Sequence, residues 1–130
     1  MILGIGLDLC KVSRIDATLE KFGNRFKKKC FTFKEISKCD RVNNSSSCYA
    51  KRFASKEAVS KALGTGLSQG VYWKDIEIIN MKSGKPKVNL SGNAKEILKN
   101  MTPKNKDYRI QITITDEAGL AQALVIIEAI

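Results

Sequence analysis

An α+β fold, with helices packed on a largely antiparallel sheet, follows from three features of the sequence. Segments of helical and of strand character come in clusters and do not alternate strictly, which argues against a doubly wound parallel sheet. The chain closes with two apolar runs, YRIQITITD and AQALVIIEAI, divided by Glu117-Ala118-Gly119, the pattern of a hairpin. Its 130 residues suit one domain that buries a core without staples, so residues 1–130 are expected to form a single unit.

Each element has its own signal. ILGIGLDLC is short, apolar and bounded by charge, as a buried strand leading into a turn would be. Ser13 followed by Asp16 resembles a capping box, and Ile15, Leu19 and Phe22 recur at helical spacing up to Gly23, so a helix of about ten residues comes next. In the basic stretch RFKKKCFTFKEISKCDRV, Thr32 and Glu35 form a second capping-box pattern ahead of Ile36 and Cys39, predicting another short helix. From Ser47 onward Ala50, Phe53, Ala54, Ala58 and Ala62 fall at helical intervals and Gly64 supplies the stop, which makes this the longest helix. DIEIIN and PKVNL, around MKSG with Gly84 and Pro86 in the connection, read as a strand pair. Ser91 then caps a helix over GNAKEILKNM, which Pro103 and the polar run after it end.

Composition narrows the function classes. Lys and Arg number 23 against 13 Asp and Glu, and the net charge of +10 calls for an acidic partner of some kind. There is no histidine, which removes the commonest neutral-pH base and excludes Ser-His and Cys-His nucleophiles. Asp8 and Lys11 interrupt the apolar start before a membrane span or signal-peptide core can form, so no membrane insertion and a cytoplasmic location are expected. Cys10, Cys30, Cys39 and Cys48 make no C-x-x-C pair, and reduced, partly buried thiols are the expected state.

The chemistry-bearing residues are few. Asp8 stands at a strand end, and Glu57 lies on the long helix with Lys61 one turn beyond it. A Glu-Lys pair at this spacing also serves simply to stabilise a helix, and Gly64-Thr65-Gly66 also serves simply to end one. Taken together, two carboxylates from separate segments make an incomplete oxygen site of the sort Mg²⁺ fills when phosphates and water complete its shell. Lys61 then falls where the phosphates lie, and the glycines admit a bulky anion.

At these residues the chain resembles a family. GIGLDLCKVSRI, RFASKEAVSKALGTG and WKDIEIINMKSGKPKVNLSGNA look, in that order, like the holo-acyl carrier protein synthase family of small phosphopantetheinyl transferases. The resemblance runs from residue 2 to about residue 94 and more weakly through the last hairpin. It implies transfer of 4′-phosphopantetheine from coenzyme A to a serine of an acidic apo-acyl carrier protein, for fatty acid biosynthesis, leaving adenosine 3′,5′-bisphosphate. It further implies magnesium held by Asp8 and Glu57, Lys61 on the coenzyme A phosphates, and Arg52, Gly64, Thr65, Gly66, Gly84 and Pro86 around the same ligand. Arg14, Lys21 and Arg25 on the first helix become the carrier-protein face, and their basic character equally suits a solvated surface. A homotrimer with sites between neighbouring subunits is implied too, with Asp8 and Glu57 supplied by different chains as one arrangement.

The serine proton has three open destinations: Glu57, a metal-bound water or a phosphate oxygen. One departure stands out. Many members carry S-x-S-H in the penultimate strand, where this chain has TITD, so Asp116 replaces the histidine either as a polar contact or as a plain hairpin residue. The rival readings are a basic nucleic-acid-binding domain and a non-catalytic binding protein on the same fold. The first leaves Asp8 and Glu57 unexplained and lacks an interleaved aromatic stacking platform, so no nucleic-acid partner is expected.

Overall fold

A computed structural model describes all residues from 1 to 130. In chain order it contains β1 (Ile2–Lys11), α1 (Val12–Phe22), α2 (Asn24–Cys30), α3 (Phe33–Arg41), α4 (Ser45–Ala62), a 3₁₀ turn (Trp73–Asp75), β2 (Ile76–Asn80), β3 (Pro86–Leu90), α5 (Gly92–Met101), β4 (Tyr108–Glu117) and β5 (Leu120–Ala129). The strands form two sheets, β1-β5-β4 and β2-β3, and every pairing is antiparallel, as expected for this α+β fold. α4 is the central helix, packing on β1, β5 and β2 at once. No helix is long and apolar enough to cross a membrane.

The contact between β1 and α4 explains the GIG of the first strand. A Cβ built on Gly4 would stand 1.9 Å from the carbonyl oxygen of Ala62, and one on Gly6 would stand 1.7 Å from that of Ala58. Only glycine lets strand and helix backbones come this close. Cys10 is buried on the same face of β1 as Gly6, whereas Ile5, Leu7 and Leu9 point the other way and are exposed. The expectation of a buried strand is therefore half right. A continuous apolar run signals burial on both faces, and this chain covers only one of them.

Three helix starts differ from expectation: Ser91 stands at the N-cap of α5 but makes no side-chain cap bond, and α1 and α2 depart further. The N-cap of α1 is Lys11, with no side-chain cap, and no turn precedes it. The Val12 amide donates instead to Gly119 O at 2.9 Å, so the β4-β5 turn satisfies the helix end, while Asp16 accepts from Ser46 Oγ at 2.6 Å. α2 has no signal in the sequence, because RFKKKC carries no apolar period. The Thr32-Glu35 capping box is present in full at the start of α3.

Glu35 does more than cap. It is fully buried, accepts from the Ile78 amide at 2.9 Å, and pairs with the equally buried Lys56 Nζ at 2.7 Å. Lys56 also donates to Trp73 O at 3.0 Å and Ile76 O at 2.5 Å. Every charge in this interior pair has several partners, the condition for tolerating it away from water. The pair fixes α4 against α3 and β2.

The cysteine expectation is corrected at two positions. Cys39 on α3 and Cys48 in the first turns of α4 form a disulfide, with Cα atoms 5.4 Å apart; Cys10 and Cys30 are free and buried. The cause is tertiary, since packing of α3 on α4 brings together two thiols nine residues apart.

Candidate active site

α4 carries functional groups on two faces. On the face toward β1, Lys61 Nζ donates to Asp8 Oδ1 at 3.1 Å and to Leu7 O at 3.1 Å. Lys61 thus pairs with Asp8, not with Glu57 one turn away, and the helix-stabilising explanation of the Glu57-Lys61 spacing does not describe this chain. Burial pushes the Glu57 carboxyl above the usual carboxylate range, and the charge of nearby Asp8 pushes it further; Lys61 and Arg14 act against both. Two carboxylates are being held together in one chain, so supply of Asp8 and Glu57 by different chains is not needed to bring them together. The close approach at Gly4 and Gly6 is what sets β1, and with it Asp8, against this face of the helix.

The other face of α4 borders an open cleft of about 550 Å³. Its lining includes Lys38, Lys51, Arg52, Asn80, Gly84 and Pro86, with Asp116 from β4. Arg52 is only 5% exposed; its Nη2 donates to Asn80 Oδ1 at 2.8 Å and its Nη1 to Cys48 Sγ at 3.6 Å, while Nε has no acceptor. Burial lowers the pKa of Arg52, with the Glu35 charge opposing. Such a guanidinium is short of acceptors, and a cleft lined by Lys38, Lys51 and Arg52 against the single carboxylate of Asp116 is suited to an anion.

The deciding likeness is in sequence and structure together. A model of the 4′-phosphopantetheinyl transferase superfamily matches residues 4–113. The chain belongs to that superfamily. Among its curated relatives is a holo-[acyl-carrier-protein] synthase of Methylorubrum extorquens, 55% identical over 130 residues, all of this chain and 96% of the relative. That of Sinorhizobium fredii is 54% identical over all of this chain and 94% of its own length. Among solved structures, the holo-[acyl-carrier-protein] synthase of Neisseria meningitidis superposes with a TM-score of 0.86 at 31% identity, covering 98% of this chain and 99% of that one. The Helicobacter pylori enzyme in complex with coenzyme A gives 0.81 at 31% identity, covering 95% and 99%.

In this phosphopantetheinyl transferase superfamily member the expected residues divide between the two faces. Asp8, Glu57 and Lys61 meet at the β1 face. Arg52, Gly84 and Pro86 line the cleft, which includes none of those three. Gly64, Thr65 and Gly66 form the turn after α4, where the Thr65 and Gly66 amides donate to Ser60 O at 3.3 and 3.1 Å and open space surrounds the two glycines. Arg14 lies over the Phe53 ring at 5.6 Å and places its charge beside Glu57. Lys21 covers Phe22 at 5.2 Å, and Arg25 borders an apolar groove between α1, α2 and the 3₁₀ turn, whose floor includes Phe26, Phe53 and Trp73. No group of three or more His, Cys, Asp or Glu capable of holding a metal is present, so any cation here has two protein carboxylates at most.

Several participants escape sequence reasoning. Asn80 and Lys38 reach the cleft only through the pairing of β2 with β3 and the docking of α3, and no local pattern signals either. Cys48 has a signal, because it stands one helical turn before Arg52. Asp116 is corrected from the open alternatives to a cleft residue: Ser47 Oγ donates to it at 3.4 Å, and Lys51 Nζ lies 3.9 Å away.

Proposed function

We propose that this chain transfers 4′-phosphopantetheine from coenzyme A to a serine of an acidic apo-acyl carrier protein, for fatty acid biosynthesis, with residues 1–130 acting as one cytoplasmic catalytic domain. The serine oxygen forms the new bond to the donor's phosphorus, and adenosine 3′,5′-bisphosphate leaves. The observation that carries the reading is the Asp8-Lys61 ion pair set beside Glu57, with both acids on the face of α4 toward β1. Burial raises the Glu57 pKa and the charge of Asp8 adds to it, a cost that the packing of α4 does not itself require.

Asp8 and Glu57 would hold a magnesium ion, which supplies charge neutralisation for the donor's diphosphate. The fit rests on what already stands there: the Lys61 ammonium occupies a position between Asp8 Oδ1 and a backbone carbonyl, as a cation would. Lys61 is placed to turn to the donor's phosphates, and Arg52 to accept the nucleotide phosphate on the other face of α4. Phosphoryl transfer asks the protein mainly for position and charge, so a chain without histidine is equipped for it.

The two faces lie about 140° apart around α4, since residues 52 and 57 are separated by five helical steps. A homotrimer that sets the acidic face of one subunit against the cleft of the next would join them. The exposed apolar residues Ile5, Leu7, Leu9 and Leu124, on the face of the sheet turned away from α4, support a subunit contact through that sheet. The carrier protein would meet Arg14, Lys21 and Arg25, with the apolar groove taking its side chains; its acidity suits their charge.

The test is direct. Incubation with coenzyme A, Mg²⁺ and apo-acyl carrier protein should add one phosphopantetheine to the carrier by intact-mass spectrometry. No mass gain with any divalent metal would contradict the reading.

A further inference from the structure

The Cys39–Cys48 disulfide has no part in the chemistry above, yet it forms part of a cleft wall. Cys48 lines the cleft and accepts from Arg52 Nη1 at 3.6 Å. Cys39 lies behind it on α3, beside the cleft residue Lys38, and the loop that the bond closes contains Asn44, whose side chain caps α4. One covalent bond therefore holds two walls of the cleft together and keeps a sulfur against the guanidinium.

We infer that Cys39–Cys48 is a thiol-reducible latch setting the affinity of this cleft for the phosphate-bearing nucleotide end of its ligand, an inference that rests on the reading of the cleft under Proposed function. In the reaction the S–S bond breaks and takes up two electrons and two protons from a dithiol or from two monothiols, whose own sulfurs join as the new disulfide.

Two consequences act in the same direction. Release of the loop from residue 40 to 47 lets Asn44, and with it the start of α4, move relative to the cleft wall on α3. The rest of α3 stays in place, because Tyr49 OH donates to Asp40 Oδ1 at 2.6 Å and the Glu35-Lys56 pair is untouched. Reduction also frees the Cys48 sulfur from its fixed place against Arg52 Nη1, so the guanidinium loses a contact that aims it at the cleft. The disulfide sulfur carries no charge, which leaves the positive charge of Arg52 uncancelled for the anion.

The experiment is calorimetric titration of adenosine 3′,5′-bisphosphate into the full chain, first with the bond intact by non-reducing peptide mapping, then after dithiothreitol. Reduction should weaken binding by at least about fivefold, the lower end of usual site coupling, and reoxidation should restore it. Cys39→Ser, checked for folding by thermal denaturation, should bind like the reduced protein and ignore dithiothreitol. Equal affinity in both states, a response to dithiothreitol that persists in Cys39→Ser, or four free thiols in protein prepared without reductant would each overturn the latch. No binding in either state overturns it together with the cleft reading, whereas equal and tight binding overturns the latch alone.

Discussion

The acidic face and the basic cleft share one helix but are built by different means. Asp8, Glu57 and Lys61 are placed by a backbone contact, β1 lying on α4 so closely that Gly4 and Gly6 admit no side chain. Arg52 is placed by side chains, Asn80 of β2 and Cys48 one turn earlier on α4, and behind them by Glu35 of α3 paired with Lys56. The first arrangement is fixed by main chain and places two acids near each other, with Lys61 paired to one of them. The second leaves a buried cation partly unsatisfied and depends on contacts distant in sequence. Perturbations that touch one and spare the other therefore separate the two.

The largest effect should come from breaking what both depend on. Lys56→Met leaves Glu35 buried without its cation and should cost about 3–5 kcal/mol in urea denaturation, with loss of both functions. Adding Glu35→Gln should recover much of that stability. Glu57→Gln acts on the acidic face alone. It should lower phosphopantetheine transfer about a hundredfold or more, an effect of several kcal/mol on the barrier. Thermal stability should be unchanged or raised, because a carboxylate whose pKa burial and Asp8 push up is one whose charge opposes folding. Adenosine 3′,5′-bisphosphate binding at the cleft should survive, and its loss would mean that the Glu57 carboxylate is needed to hold the nucleotide as well as to run the transfer.

Gly6→Ala probes the backbone contact. The added methyl meets the Ala58 carbonyl oxygen, so β1 must shift, at roughly 1–3 kcal/mol of stability. Transfer should fall while nucleotide affinity at the cleft holds. The smallest effect concerns the cleft's support. The hydrogen bond from Tyr49, and secondarily Lys27, holds Asp40 below its ordinary value of 3.8. A carboxyl lowered in the folded state contributes stability above its unfolded pKa and loses it as pH falls through the folded one. The stability difference between wild type and Asp40→Asn should therefore be constant near neutrality and shrink as the pH drops below 3.8. A difference that grew with acidification would contradict the assignment.

The same contrast decides what is legible in the sequence. The acidic face is readable because its parts are local: GIG before Asp8, and Glu57 and Lys61 one turn apart on a long alanine-rich helix. The Thr32-Glu35 capping box, the β2-β3 pair and the final hairpin are readable for the same reason, since each signal lies within a few residues of its effect. The α1 start misleads because its amide is satisfied by Gly119, more than a hundred residues away. The disulfide, the Asn80 partner of Arg52 and the turning of Asp116 into the cleft all require α3, β2 and β4 to be in place first. Lys56 looks like one more surface charge beside Glu57, and only the burial of Glu35 gives it a partner.

The central claim is that the acidic face of one subunit and the cleft of another complete a single transfer site. Mixing Glu57→Gln with Arg52→Ala protein, after dissociation and reassembly, tests it most directly, because neither chain alone carries both intact faces. The account predicts two nearly inactive homomers whose mixture regains activity, approaching about a quarter of wild type for random assembly of a closed ring. A mixture as inactive as its parts, though shown by native mass spectrometry to contain both chains, would contradict it.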